Sequence, residues 1–120
     1  MGEAITLTSG FDGAQIPAYH AGVPDARRGG LVLIQEIFGL TDHIRELCDA
    51  FAADGYEVIA PAFYHRLEPG FAVGYAPEGV TRGVAHSQAT PWDEVAGDIQ
   101  AAIVALKPPV FVTGFCWGGA

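Results

Sequence analysis

Cys116 stands in Gly114-Phe115-Cys116-Trp117-Gly118-Gly119, directly after the apolar run Val110-Phe111-Val112. Gly-x-Cys-x-Gly at the end of a buried strand is the pattern of a nucleophile elbow with sulfur in place of the usual serine oxygen. The glycines serve a sharp strand-to-helix turn in which flanking side chains would clash. The following helix would begin at the cysteine, and the partial positive charge of its N-terminus favours thiolate over thiol. The chemistry expected of such a sulfur is nucleophilic attack on a carbonyl carbon.

Glu36 is the second candidate. It follows the unbroken apolar run Leu31-Val32-Leu33-Ile34, with Gln35 between. A run without alternation reads as a strand covered on both faces, in a parallel sheet. Open sheets of that kind bind ligands beyond the C-terminal ends of their strands. Glu36 would therefore reach the same edge as Cys116 and could accept its proton. The backbone N–H groups of Ile37 and Trp117, beside these two residues, are the candidates for an oxyanion hole.

Arg45, Arg66 and Arg82 are candidates for holding a carboxylate, whether that of Glu36 or of a substrate. His20, His43, His65 and His86 have no metal-ligand spacing with one another, with cysteine or with carboxylates, so no metal site is expected. Each of His65 and His86 reads as loop surface, and Cys48 as a core thiol.

The elements that would position these groups are legible from period and punctuation. Ile5 to Thr8 and Gln15 to Tyr19 flank the turn signal Gly10-Phe11-Asp12-Gly13 and read as an antiparallel hairpin. Pro17 is expected on a sheet edge. Thr41 or Asp42 caps a helix whose apolar face is Ile44, Leu47, Cys48, Phe51 and Ala52, stopped by Gly55. Glu57 to Ala60 is another buried strand. Residues 62–89 carry no period and read as a functional loop region, or as one containing a short helix that no period reveals. Thr90-Pro91-Trp92-Asp93 starts a further helix, with Thr90 as cap and Pro91 at the first helical position. Its apolar face is Val95, Ile99, Ala102, Ile103 and Leu106, and Pro108-Pro109 stop it before the last strand. A hairpin followed by βαβαβ predicts an α/β fold, a parallel sheet with helices on both faces, in one unit over residues 1–120.

Composition fits that reading. Half of the 120 residues are apolar, 17% are charged, and six Lys+Arg against fourteen Asp+Glu give a net charge of −8. Such a chain is globular, and with no basic stretch it suits neither nucleic acid nor an anionic membrane surface. No apolar run approaches a membrane span. Two cysteines are too few for a disulfide scaffold, and Met1-Gly2-Glu3-Ala4 is not a basic segment followed by an apolar one. A cytoplasmic location is expected.

Gln35-Glu36-Ile37-Phe38-Gly39 after a strand, Tyr64-His65-Arg66 with Pro69-Gly70-Phe71, and Gly114 to Gly119 together resemble the dienelactone hydrolase family, a cysteine-nucleophile branch of the α/β-hydrolase fold. The resemblance runs in order along the whole chain. It implies hydrolysis of the lactone ester of a dienelactone to maleylacetate, in the breakdown of chloroaromatics and catechols. It makes Cys116 the nucleophile, Glu36 the group that receives or orients the thiol proton, and Ile37 and Trp117 the oxyanion amides. It also makes Arg82 the residue that binds substrate carboxylate. It implies no cofactor and no partner beyond a small-molecule ester. Family members are longer, and their catalytic aspartate and histidine follow the elbow. On this reading the chain is the N-terminal half of an enzyme, ends at its elbow with a bare edge strand, and is inactive alone. A broader carboxylesterase or thioesterase of the same family, or a glyoxalase-like protein that oxidises its cysteine, are the alternative readings.

Overall fold

The computed structural model of the chain describes residues 2–114. The segments Glu3–Thr8 (β1) and Gln15–Ala21 (β2) form the expected hairpin. Then come Gly30–Ile34 (β3), helix Asp42–Ala53 (α1), Glu57–Pro61 (β4), helices Pro77–Ala89 (α2) and Trp92–Ala105 (α3), and Val110–Gly114 (β5). All five strands join in one sheet in the order β1-β2-β4-β3-β5. The three crossover-connected strands β4, β3 and β5 are parallel, and the hairpin adds to them through an antiparallel β2–β4 ladder. The sheet is therefore mixed, with a parallel half that carries the predicted βαβ pattern.

Apolar runs without alternation are buried on both sides because each face has its own helix. On one face Leu31, Leu33, Val58 and Ala60 pack with Ile44 and Cys48 of α1. On the other, Val32 and Ile59 pack with Ala102 of α3 and with Leu106. Leu33, Val32, Ile44 and Val58 are wholly buried, and each such side chain contributes about 1.5–3 kcal/mol by leaving water. A third cluster, Ile34, Phe63, Tyr64, Phe71 and Val95, lies where β3 ends and seats the segment after β4 against α3.

The α1 start is as read: Thr41 is extended, and its hydroxyl accepts from Ile44 N at 3.3 Å. The α3 start is not. Pro91 is the N-cap, and Thr90 ends the preceding helix, its hydroxyl donating to the His86 carbonyl at 2.7 Å. A threonine between two abutting helices can serve only one of them, and it serves the first.

Pro17 also departs from expectation. It lies on an internal strand, since β1 forms the edge. The β2–β4 ladder begins at Ala18↔Pro61, and the Pro17 carbonyl accepts from Ala62 N at 2.9 Å. Its nitrogen faces that same side, at the last position of the pairing, so the missing N–H removes at most one terminal bond.

The largest correction is α2. The stretch 62–89 holds a helix of 13 residues as well as a loop. Its buried positions are Gly79 and Gly83, whereas Val80 and Val84 are exposed. A helix seated through glycines leaves no apolar period to read.

Candidate active site

β3 and β5 are neighbours in parallel register, Gly30↔Val110 through Ile34↔Gly114. Both strands therefore leave the sheet at one edge. Gln35 and Glu36 continue from β3; Phe115, Cys116 and Trp117 continue from β5 in sequence. Cys116 and Trp117 lie outside the described residues. The strand that leads to them is described: β5 is the edge strand beyond β3, with Phe111 and Val112 about half exposed.

The Glu36 loop is built from its ends. Gln35 is fully buried, and its Oε1 accepts from Phe63 N at 3.2 Å, which ties the end of β3 to the turn after β4. Gly39 N donates to the Glu36 carbonyl at 3.2 Å, closing a tight turn. Gly39 has φ +90°, and a Cβ there would strike the Phe71 carbonyl; only glycine adopts that backbone without strain. Residues 71–75 run alongside as a strap, with Gly39 bridged to Ala72 and Val73 N donating to the Phe38 carbonyl at 3.0 Å. On the far side α2 comes so close that a Cβ at Gly83 would meet the Ile37 carbonyl. The loop is thus clamped by the β4 turn, the strap and α2.

Within that clamp Glu36 is half-buried and accepts from Tyr75 Oη at 3.4 Å. Among the described residues the Ile37 amide has no acceptor, the state an oxyanion donor must keep in the resting protein. A shallow cavity of about 340 Å³ opens beside Tyr75, walled by Thr41 to His43 and Arg45 from the start of α1 and by Ala72 to Gly74 of the strap.

None of the three candidate arginines bonds to Glu36 among the described contacts. Arg66 grips Asp12 at 2.8 Å and Asp98 at 2.9 Å, so its work is to join the β1–β2 turn to α3. Arg45 pairs with Asp42 at 3.3 Å and lies over the Tyr19 ring. Arg82 is on α2, half exposed, with its guanidinium 5.1 Å over Phe71 and donating to Glu68. The second Glu68 oxygen is 3.1 Å from His86 Nε2. The hydrogen bonds from Arg82, first, and His86 hold the Glu68 carboxyl below the usual range. His86 is therefore no loop-surface residue: it is partly buried, its ring 4.4 Å from Phe71. His43 is exposed in the first turn of α1. His65 is partly buried in the turn after β4, and its Nδ1 has no partner among the described residues. His20 is paired with the buried Glu57 at 2.8 Å, far from this edge in chain position. Cys48 is wholly buried in α1, and burial pushes its thiol up to about 12, so it is inert as read. Among the described residues no cluster could hold a metal ion, and no helix is long and apolar enough to cross a membrane.

Tyr75 and the Glu68–Arg82–His86 group escaped sequence reading. Both sit in the stretch that has no apolar period, and their partners are distant in sequence.

Comparison with known proteins covers this same architecture. A profile described as "Dienelactone hydrolase family" matches residues 16–120. A protein from Synechocystis named "Putative carboxymethylenebutenolidase" is 42% identical over an alignment of 96 residues that covers 74% of this chain and 39% of the relative. A protein of the same name from Escherichia coli (strain K12) is 36% identical over a gapped alignment of 121 residues that covers 89% of this chain and 41% of the relative. The crystal structure titled "Putative Dienelactone Hydrolase" from Klebsiella pneumoniae superposes with a TM-score of 0.69 at 29% identity, covering 98% of this chain and 51% of the other. The chain thus spans two fifths to one half of the length of these relatives. It shares their α/β-hydrolase architecture up to the end of β5, and the profile runs through the Glu36 loop to the cysteine motif. The chain belongs to the dienelactone hydrolase family.

Proposed function

We infer that residues 1–120 are the nucleophile-bearing part of a carboxylic-ester hydrolase domain, acting on a lactone such as dienelactone and yielding maleylacetate. The observation that carries this reading is the parallel β3–β5 register, which brings the chain out of both strands at one edge, with Glu36 on one exit and the Cys116 motif on the other. Glu36 takes the proton from the Cys116 thiol. The thiolate attacks the lactone carbonyl carbon, and its oxygen, now negative, is held by the Ile37 and Trp117 amides. The ring C–O bond then breaks. The leaving enolate takes up a proton and the acyl group remains on sulfur as a thioester. Water completes the cycle, giving the carboxylate and restoring the thiol. Arg82 binds the substrate carboxylate, for which Glu68 must give way.

That pairing also favours a second reading. An arginine already neutralised by Glu68 makes a weaker anion site, which suits a broader carboxylesterase acting on neutral esters.

Trapping the acyl-enzyme tests the first step. The chain is quenched in acid within the first turnover, before water can release the acyl group. Mixed with p-nitrophenyl acetate, it should gain one acetyl group on Cys116 by mass spectrometry. Glu36→Gln should slow that gain at least tenfold, and Cys116→Ala should abolish it. No acylation of Cys116 at neutral pH would sink the reading. Competition between a dienelactone and a neutral aryl ester separates the two substrate classes.

A further inference from the structure

The Glu36 carboxylate has one hydrogen-bond partner among the described residues, and it comes from a stretch to which the functional reading assigns no role. Tyr75 Oη donates to Oε1 at 3.4 Å. The bond is long, as catalytic contacts in resting structures often are. What holds the hydroxyl there is better defined. The Tyr75 ring meets Phe38 edge-to-face, centroids 4.5 Å apart at 88°. Phe38 lies in the Glu36 turn, and its carbonyl accepts from Val73 N on the strap. The backbone bridge Gly39↔Ala72 fixes the same register. Tyr75 is thus indexed to the Glu36 carboxylate by backbone pairing and a ring contact together. Yet the residue is 62% exposed. Burial does not explain the tyrosine here, and its hydroxyl is aimed at the one carboxylate to which the mechanism gives a proton.

We propose that Tyr75 is a positioning residue for Glu36, tying down Oε1 so that Oε2 is left for the thiol proton of Cys116; this rests on the reading of Glu36 as proton acceptor. The terminal torsion of a glutamate is broad and two-fold, so a carboxylate with neither oxygen held samples many orientations. Holding one oxygen narrows them. A phenol suits this better than an arginine would, because it donates without cancelling the carboxylate's charge. The proton balance is simple. Cys116 loses its proton to Glu36 and Tyr75 keeps its own, since partial desolvation of the hydroxyl where it meets the loop, with the Glu36 charge, raises the phenol above its ordinary value.

Tyr75→Phe keeps the ring against Phe38 and deletes only the donor. The rate of Cys116 alkylation by iodoacetamide, followed by mass spectrometry from pH 5 to 9, should fall at least roughly tenfold at neutral pH, the lower end of the scale of one hydrogen bond to an ionised group. The pH profile should shift with it. In a Glu36→Gln background the same substitution should do nothing further. A direct readout of the contact is the ¹³Cζ titration of Tyr75, whose midpoint should fall when Glu36 becomes Gln. If Tyr75→Phe alkylates like the parent while Glu36→Gln is slow, this proposal is wrong and the role of Glu36 stands. Equal slowing by Tyr75→Phe in both backgrounds also overturns it. If Glu36→Gln itself leaves the rate unchanged, the reading of Glu36 fails first and takes this one with it.

Discussion

Two thiols in one chain have opposite expectations, and the difference is burial. Cys48 sits between α1 and the sheet with no exposed surface and a thiol raised to about 12. At pH 8 only about one part in ten thousand is thiolate. Cys116 follows β5 in sequence, and the nucleophile role we propose for it requires a lowered thiol pKa. In the folded chain iodoacetamide at pH 8 should therefore modify Cys116 and leave Cys48 untouched, and concentrated urea should expose both. Comparable native labelling of Cys48 would contradict the packing of α1 on the sheet. At this scale the sequence was informative where chemistry depends on residue type beside a strand end. Cys116 and Glu36 become candidates from a strand, a glycine and a side chain. Tyr75 could not, because nothing in Ala72-Val73-Gly74-Tyr75 says which backbone it pairs with. The attachment of Arg82 to Glu68 was equally hidden, since a turn and a helix meet only after the strap has folded.

Helix α2 was missed for a physical reason that also makes it testable. Amphipathic period is legible when the buried face is made of large apolar side chains, as in α1, where Ile44 and Cys48 lie inside. In α2 the buried face is Gly79 and Gly83, and the valines point outward. The small residues let the helix axis approach the backbone of Gly74 and of Ile37. α2 is thus part of the site's wall, and the glycine at 83 sets the distance. Replacing a helical glycine by alanine ordinarily stabilises by up to about 1 kcal/mol. At Gly83 the new methyl meets a backbone carbonyl, which cannot rotate away. Overpacking of that kind costs about 1–3 kcal/mol and should win. Gly83→Ala is expected to lower the urea midpoint and to slow Cys116 acylation, because the Ile37 peptide moves. A gain in stability with unchanged acylation would show that α2 is not seated as described. The strands, by contrast, were read to within two residues at each end, and to within one for β3 and β4, where being covered on both faces leaves unbroken apolar runs.

At the scale of the whole molecule, three distant segments are tied by one arginine. Arg66, in the turn after β4, holds Asp12 from the β1–β2 turn and Asp98 from α3. The two carboxyls respond to pH in opposite senses. The Arg66 guanidinium, first through its hydrogen bonds, holds Asp12 well below its ordinary 3.8. The unfolded chain then takes up that proton first. The stability Asp12 contributes is complete above its unfolded value and is lost as pH falls through the lower folded one. Burial dominates at Asp98 and raises it above 3.8 despite the same arginine. Here the folded chain takes up the proton first, so its contribution is largest at low pH and declines as pH rises through the raised value. Arg66→Ala removes the support of Asp12 and leaves Asp98 as a buried charge without its cation. At pH 7 this should cost about 3 kcal/mol, the scale for breaking one side of a buried pair. On acidification Asp98 protonates and ceases to be a buried charge, while the parent loses the Asp12 contribution. The stability gap between parent and variant should therefore shrink steadily from pH 7 to pH 3. Urea unfolding of both proteins across that range measures it. A gap that stays constant with pH would mean that Arg66 acts through packing of its side chain and not through the two carboxylates it joins.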